Sequence, residues 1–132
     1  MVLIVSSTGE VNIENQNMKI EYEITSGSVN SFTSDTNTTS LIINITATEG
    51  GSLKAILPRK IIDSKYEEQD DIFYLLIDGE ECKFTETIED NQRTLTIPYA
   101  KESRQIEIIG TETINELVTI DEDLALGMML RI

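Results

Sequence analysis

The side chains of this chain that could do chemistry are almost all carboxylates. Asp and Glu number 24 against 10 Lys and Arg, a formal net charge of −14. They gather where turns are expected, at Asp63, Asp70, Asp71, Asp78, Glu80 and Glu81, and again at Asp121-Glu122-Asp123. Calcium takes about six to eight oxygen ligands, and the loops of β-rich domains supply them from several turns at once. Asp70, Asp71, Asp78 and Glu80 are therefore candidate calcium ligands, although no EF-hand spacing is present, and no other cofactor is expected. Two carboxylates at a suitable separation would also serve as the acid and base of a glycoside-processing site. The absence of Trp removes the largest surface on which a sugar stacks. The commoner role of such acids is solvation of turns, and Asp78-Gly79 is explained by hairpin geometry, since Gly tolerates positive φ.

The rest of the inventory mostly excludes. With no histidine, a Ser-His-Asp triad, a Cys-His dyad, a His-ligated zinc and a His-ligated haem are all impossible. The single cysteine, Cys82, makes neither an intrachain disulfide nor a metal cluster. It follows Glu80 and Glu81, whose charge disfavours a thiolate, so a buried, inert thiol is expected. The charge of −14 repels phosphate backbones, which argues against nucleic acid as a partner. It attracts cations and basic surfaces, and suits a salty medium in which repulsion beyond a Debye length of ~8 Å is screened. Asn37-Thr38-Thr39 and Asn44-Ile45-Thr46 both fit the N-glycosylation acceptor pattern, making Asn37 and Asn44 candidate modification sites.

The elements that must position these groups read as strands. Met18, Ile20, Tyr22 and Ile24 alternate with Lys19, Glu21 and Glu23, the signature of a strand with one wet face. Val29 to Asp35 forms a second strand around Phe32, and Ser40 to Thr46 is β-branched and apolar enough for a central one. Gly50-Gly51 is a turn signal, so Ser52 to Leu57 reads as the return strand of a hairpin, closed by Pro58. Arg59 to Asp71 lacks alternation, and Ile61, Ile62 and Tyr66 suit one face of a single helical turn. Ile72 to Ile77 and Glu80 to Thr87 make a second hairpin about Asp78-Gly79. Asp90-Asn91 turns the chain into Arg93 to Tyr99, with Pro98 near the strand's end or at an edge. Gln105 to Ile109 and Leu117 to Ile120 follow. Leu124, Leu126, Met128, Leu130 and Ile132 then occupy every second position.

Several of these pieces recur in order in a known family. Leu57-Pro58-Arg59, Ile62-Asp63, Asp70-Asp71-Ile72-Phe73, Ile77-Asp78-Gly79-Glu80, Arg93 to Tyr99 and Ile106 to Thr111 resemble the β-rich domain of secreted or surface-anchored proteins of ammonia-oxidising archaea. Those proteins commonly end in a PEFG-type sorting signal and a membrane helix. The likeness runs from about Met18 to Thr111, and Ser40 to Gly51 shares it. It implies an extracellular or cell-surface location and brings no catalytic residue to transfer. The chain departs from the pattern after Thr111, where neither a PEFG sequence nor an apolar anchor follows.

The expectation is thus an all-β chain, one antiparallel β-sandwich over residues 1–132, with an immunoglobulin-like Greek key ahead of a closed barrel. Met1 to Val5 is apolar but far short of the roughly 20 residues of a spanning helix, and lacks the basic start of a signal peptide. No membrane span is expected. The terminal segments 1–6 and 124–132 pair either within the domain or with a neighbour's sheet. The sharper reading makes Leu124, Leu126, Met128, Leu130 and Ile132 assembly residues of a non-enzymatic surface module whose partners are its own copies or other surface proteins. A calcium- or glycan-binding module and a carboxylate-dependent glycoside-processing domain are the alternatives.

Overall fold

The computed structural model describes residues 6–13, 18–114 and 118–120. All regular structure in them is strand: β1 (Ser6–Ile13), β2 (Met18–Thr25), β3 (Gly27–Asp35), β4 (Ser40–Ala47), β5 (Gly51–Pro58), β6 (Ile62–Asp63), β7 (Lys65–Tyr66), β8 (Gln69–Asp70), β9 (Tyr74–Ile77), β10 (Glu80–Glu81), β11 (Thr85–Ile88), β12 (Gln92–Tyr99), β13 (Gln105–Ile109), β14 (Glu112–Thr113) and β15 (Val118–Ile120). One sheet has the order β1-β2-β5-β12-β11 and the other β10-β9-β13-β4-β3-β15, and every pairing is antiparallel. The two sheets share one core, so the all-β expectation holds and the arrangement is sandwich-like.

Alternation decides which side chains enter that core. Ile20, Tyr22 and Ile24 of β2, Leu53, Ala55 and Leu57 of β5, and Leu95, Ile97 and Tyr99 of β12 line the first sheet's inner face. Leu41, Ile43 and Ile45 of β4, with Ile106 and Ile108 of β13, line the second. Val29 and Phe32 on β3 are both buried although three positions apart, an odd spacing that simple alternation forbids. The register shifts between Val29 and Ser31, leaving Asn30 as the extra residue of a bulge that returns Phe32 to the core. There Phe32 packs on Tyr22 with ring centroids 5.9 Å apart.

Four details differ from the sequence reading. Ser52 to Leu57 is not the return strand of β4: β5 crosses to the other sheet and lies between β2 and β12. Gly50-Gly51 marks that crossing. A Cβ at Gly51 would stand 2.5 Å from Thr25 Oγ1 and 2.7 Å from the Thr25 carbonyl, so the close approach of β5 to the end of β2 needs glycine. The helical turn about Ile61, Ile62 and Tyr66 is absent. The Ile61 carbonyl accepts from Ile114 N (2.8 Å), Ile62 pairs with Thr113, and both isoleucines are buried while Tyr66 is 69% exposed. The strand expected over Ile72 to Ile77 begins at Tyr74. The hairpin at Asp78-Gly79 is present, with φ of 51° and 85° at its centre, but β10 ends at Glu81 and the chain crosses to the first sheet as β11. Pro98 falls one residue from the end of β12, as expected. β1, whose Ser6–Ile13 sequence is too polar to advertise a strand, pairs along its whole length with β2.

The strand directions define two ends that matter below. One, here the lower end, carries Met18, Pro58 and Asn91; the other, the upper end, carries Thr25, Gly51 and Tyr99. Replacing Gly51 by Ala is expected to cost about 1–3 kcal/mol in urea unfolding, since the Thr25 carbonyl, which cannot swing aside as the Thr25 hydroxyl can, also blocks the methyl group. Gly50→Ala, where the nearest atom would be 3.5 Å away, should stay within about 0.5 kcal/mol of the parent.

Candidate functional site

The largest side chain shut inside the molecule is a charged one. Arg93 opens the inward-facing series Arg93, Leu95, Ile97, Tyr99 on β12, and it is 0% exposed. A guanidinium there must find an acceptor for every N–H, because leaving a buried charge unpaired costs several kcal/mol. It does: Nε and Nη2 donate to Asp63 Oδ1 at 3.0 and 2.7 Å, and Nη2 also to the Ser64 carbonyl at 2.7 Å. Nη1 donates to the Asp71 carbonyl at 2.6 Å and to Glu86 Oε2 at 3.1 Å. The Phe73 ring covers the guanidinium with its centroid 4.7 Å from Cζ, a cation–π contact.

This cation fastens the irregular stretch 59–73 to the sheets. Asp63 Oδ1 also accepts from Ser64 N (2.9 Å), and Asp63 Oδ2 accepts from Arg59 Nε (3.2 Å). Arg59 in turn pairs with Asp70 and donates to the Glu89 carbonyl at 2.9 Å. The Arg59 hydrogen bond holds the Asp70 carboxyl below the usual carboxylate range. Both oxygens of Asp63 are thus committed to structural partners. Glu86 comes from β11, the edge of its sheet, and faces the same side as buried Leu95 opposite it. Its side chain is 6% exposed and its Oε1 has no hydrogen-bond partner. A charge pointing inward from an edge strand discourages a foreign strand from pairing there.

The sequence-derived site residues do not converge. Asp70 and Asp71 lie at the lower end, before β9; Asp78 and Glu80 lie at the upper end, after it. β9 (Tyr74–Ile77), which spans roughly 13 Å at ~3.3 Å per residue, runs between the two pairs. Asp71 Oδ1 accepts from Ile72 N (2.9 Å), and Asp78 Oδ1 accepts from Gln105 N (2.9 Å) and Arg104 N (3.2 Å). Glu80 is exposed opposite Ile77. Among the described residues no group of three or more acidic or cysteine side chains is placed to hold a metal ion. Asn37 is exposed in the β3–β4 turn, where its N–H donates to Asp35 Oδ1 (2.8 Å). Asn44 lies half-buried on the outer face of β4 and donates to Ser31 Oγ (2.9 Å). Cys82 is half-buried, not buried, and burial pushes its thiol above the ordinary range. The residues 1–5 and the assembly residues Leu124, Leu126, Met128, Leu130 and Ile132 lie outside the described residues.

Three open hollows mark the described surface. One of about 490 Å³ lies on the outer face of the first sheet, around Glu10, Lys19, Glu21, Glu23 and Lys54. The Lys19 ammonium pairs there with Glu10 (2.9 Å) and Glu21 (3.1 Å), whose hydrogen bonds raise its pKa. A second, about 610 Å³, sits at the upper end among Asp78, Glu80, Glu81, Glu102 and Lys101. The third, about 590 Å³, is at the lower end over Met18 and Pro58, and three cations, Arg59, Lys60 and Lys65, outnumber the carboxylates of Asp63 and Asp90.

Comparison with known proteins returns no matching family model, no matching curated protein and no matching solved structure. Among the described residues no helix is long and apolar enough to cross a membrane.

Sequence reasoning missed Arg93, though its signal was present: the residue shares parity with Leu95, Ile97 and Tyr99. Arg93→Met is expected to lower the unfolding free energy by about 3–5 kcal/mol, by stranding Asp63 and Glu86. Adding Glu86→Leu should recover part of that loss, and urea unfolding of the two variants checks both. Burial disfavours the Cys82 thiolate, so alkylation by iodoacetamide at pH 8 should run slower than for free cysteine and accelerate as pH rises. A rate equal to the free thiol's would contradict the burial.

Proposed function

We propose that this chain is a non-enzymatic structural or interaction module of an archaeal cell surface that assembles with its own copies by exchange of terminal strands. On this reading the two sheets form an immunoglobulin-like Greek-key sandwich. Neighbouring strands β2 and β5 are separated in sequence by a hairpin, β3–β4, that lies in the other sheet. The extracellular location rests on the resemblance carried by Leu57 to Gly79 and Arg93 to Thr111.

What supports the assembly reading is the edge of the second sheet, where the short strand β15 (Val118–Ile120) lies on β3, followed in the sequence by the apolar alternation of Leu124 to Ile132. An edge strand offers a row of backbone groups with which a neighbour's strand can pair. At the far edge of the first sheet, by contrast, the inward Glu86 guards β11. Cation binding is the weaker reading, because the four candidate ligands are divided between opposite ends and Asp70 is already paired with Arg59.

Analytical ultracentrifugation of the intact chain should find oligomers in moderate salt. Deleting residues 121–132 should leave a folded monomer, and an intact chain that sediments as a monomer at high concentration discards the reading.

A further inference from the structure

We propose that Asn37 accepts an N-linked glycan and that Asn44, in the same kind of triplet, does not, because the fold leaves one amide uncommitted and locks the other into a sheet. Only the extracellular location in the reading above is needed for it. Asn37-Thr38-Thr39 and Asn44-Ile45-Thr46 are the chain's two acceptor triplets. Transfer requires the asparagine amide and the hydroxyl two residues on to be presented together to the transferring enzyme. A bond forms between Asn37 Nδ2 and C1 of the first sugar of a glycan carried on a lipid diphosphate. The bond from C1 to the diphosphate oxygen breaks, the lipid diphosphate leaves with the electron pair, and one amide proton passes to a base of the enzyme.

The second triplet cannot be presented without dismantling a sheet. Asn44 lies in the middle of β4, paired with Gln105 of β13 on one side and with Ser31 of β3 on the other. Its Nδ2 donates to Ser31 Oγ (2.9 Å), and the Thr46 hydroxyl accepts from Asn30 Nδ2 (3.0 Å). Both reacting groups are engaged, and lifting the triplet out would break ladder bonds to two neighbouring strands. Asn37 is the opposite case. The β3–β4 ladder ends at the pair Asp35 and Ser40, and residues 36–39 form the turn beyond it. Thr36, Asn37 and Thr38 are exposed, and Thr39 is half-buried with φ of 52°. The hydrogen bonds of this turn use other atoms. Asn37 N donates to Asp35 Oδ1 (2.8 Å), the Thr38 and Ser40 hydroxyls share one bond (2.6 Å), and Gly110 N donates to the Thr39 carbonyl (2.9 Å). Among the described residues the Asn37 side-chain amide and the Thr39 hydroxyl have no partner. The base of the turn is therefore held while both reacting groups stay uncommitted. β3 starts two residues after Thr25, so this turn stands at the lower end, where a bulky glycan displaces no strand.

The test gives the folded, full-length chain to a single-subunit oligosaccharyltransferase with its lipid-diphosphate-linked glycan, and reads the intact mass and the glycopeptide masses. One glycan per chain, on Asn37, is expected. Asn37→Gln should lower modification at least tenfold without moving the melting temperature. Asn44→Gln should keep it, as should Thr46→Ala if the first of these folds poorly. Thr39→Ser should preserve acceptance and Thr39→Ala remove it, a dependence that exposure of Asn37 alone would not produce. A folded chain that gains no glycan, or that carries it on Asn44, overturns the assignment. Acceptance is read by mass on the purified chain, location by cell fractionation and assembly by sedimentation, so failure of the site is distinguishable from failure of the reading above.

Discussion

A guanidinium with no access to water organises the lower half of this molecule. Arg93 enters the core because its parity on β12 matches that of Leu95, Ile97 and Tyr99, and once there it must be met from several directions. Asp63, Ser64 and Asp71 meet it from the irregular stretch, Glu86 from an edge strand, and Phe73 from above. A path of residues 59–73 that withdrew Asp63, Ser64 or Asp71 would strand part of that charge, so the centre favours the observed path of a stretch with little regular structure of its own.

Consequences of that selection reach the surface. With Asp63 and Asp70 drawn onto arginines, a strongly acidic chain still presents a locally basic hollow, since the ammonium groups of Lys60 and Lys65 are left over. Glu86, held inward by Arg93, places a charge where an intruding strand would have to pack. In the other sheet β15 covers β3 opposite Ser31 to Thr33, beside the bulge at Asn30 that strengthens the local twist.

Much of the fold was legible because burial on one face imposes a period of two. Met18 to Ile24, Ser40 to Thr46, Arg93 to Tyr99 and Gln105 to Ile109 all appear as strands at or near the positions their alternation indicates. Turn chemistry at Asp78-Gly79 was legible for the same reason, since few residue pairs accept positive φ in succession. The candidate ligands were less legible. Asp70, Asp71, Asp78 and Glu80 are close in sequence, yet a strand runs between the pairs, and each of the aspartates already has a structural partner.

By itself, then, the sequence determined the all-β character, most strand positions and the exclusion of histidine-dependent chemistry, because these follow from local periodicity and from the residue types present. Only the tertiary structure decided that β5 leaves β4 for the other sheet, that Val29 and Phe32 share a face through a bulge, and that Arg93 is a buried hub. The physical reason is common to all three. Which sheet a strand joins, and which groups surround a buried charge, depend on contacts between residues distant along the chain, and alternation within a strand says which side is dry without saying what covers it.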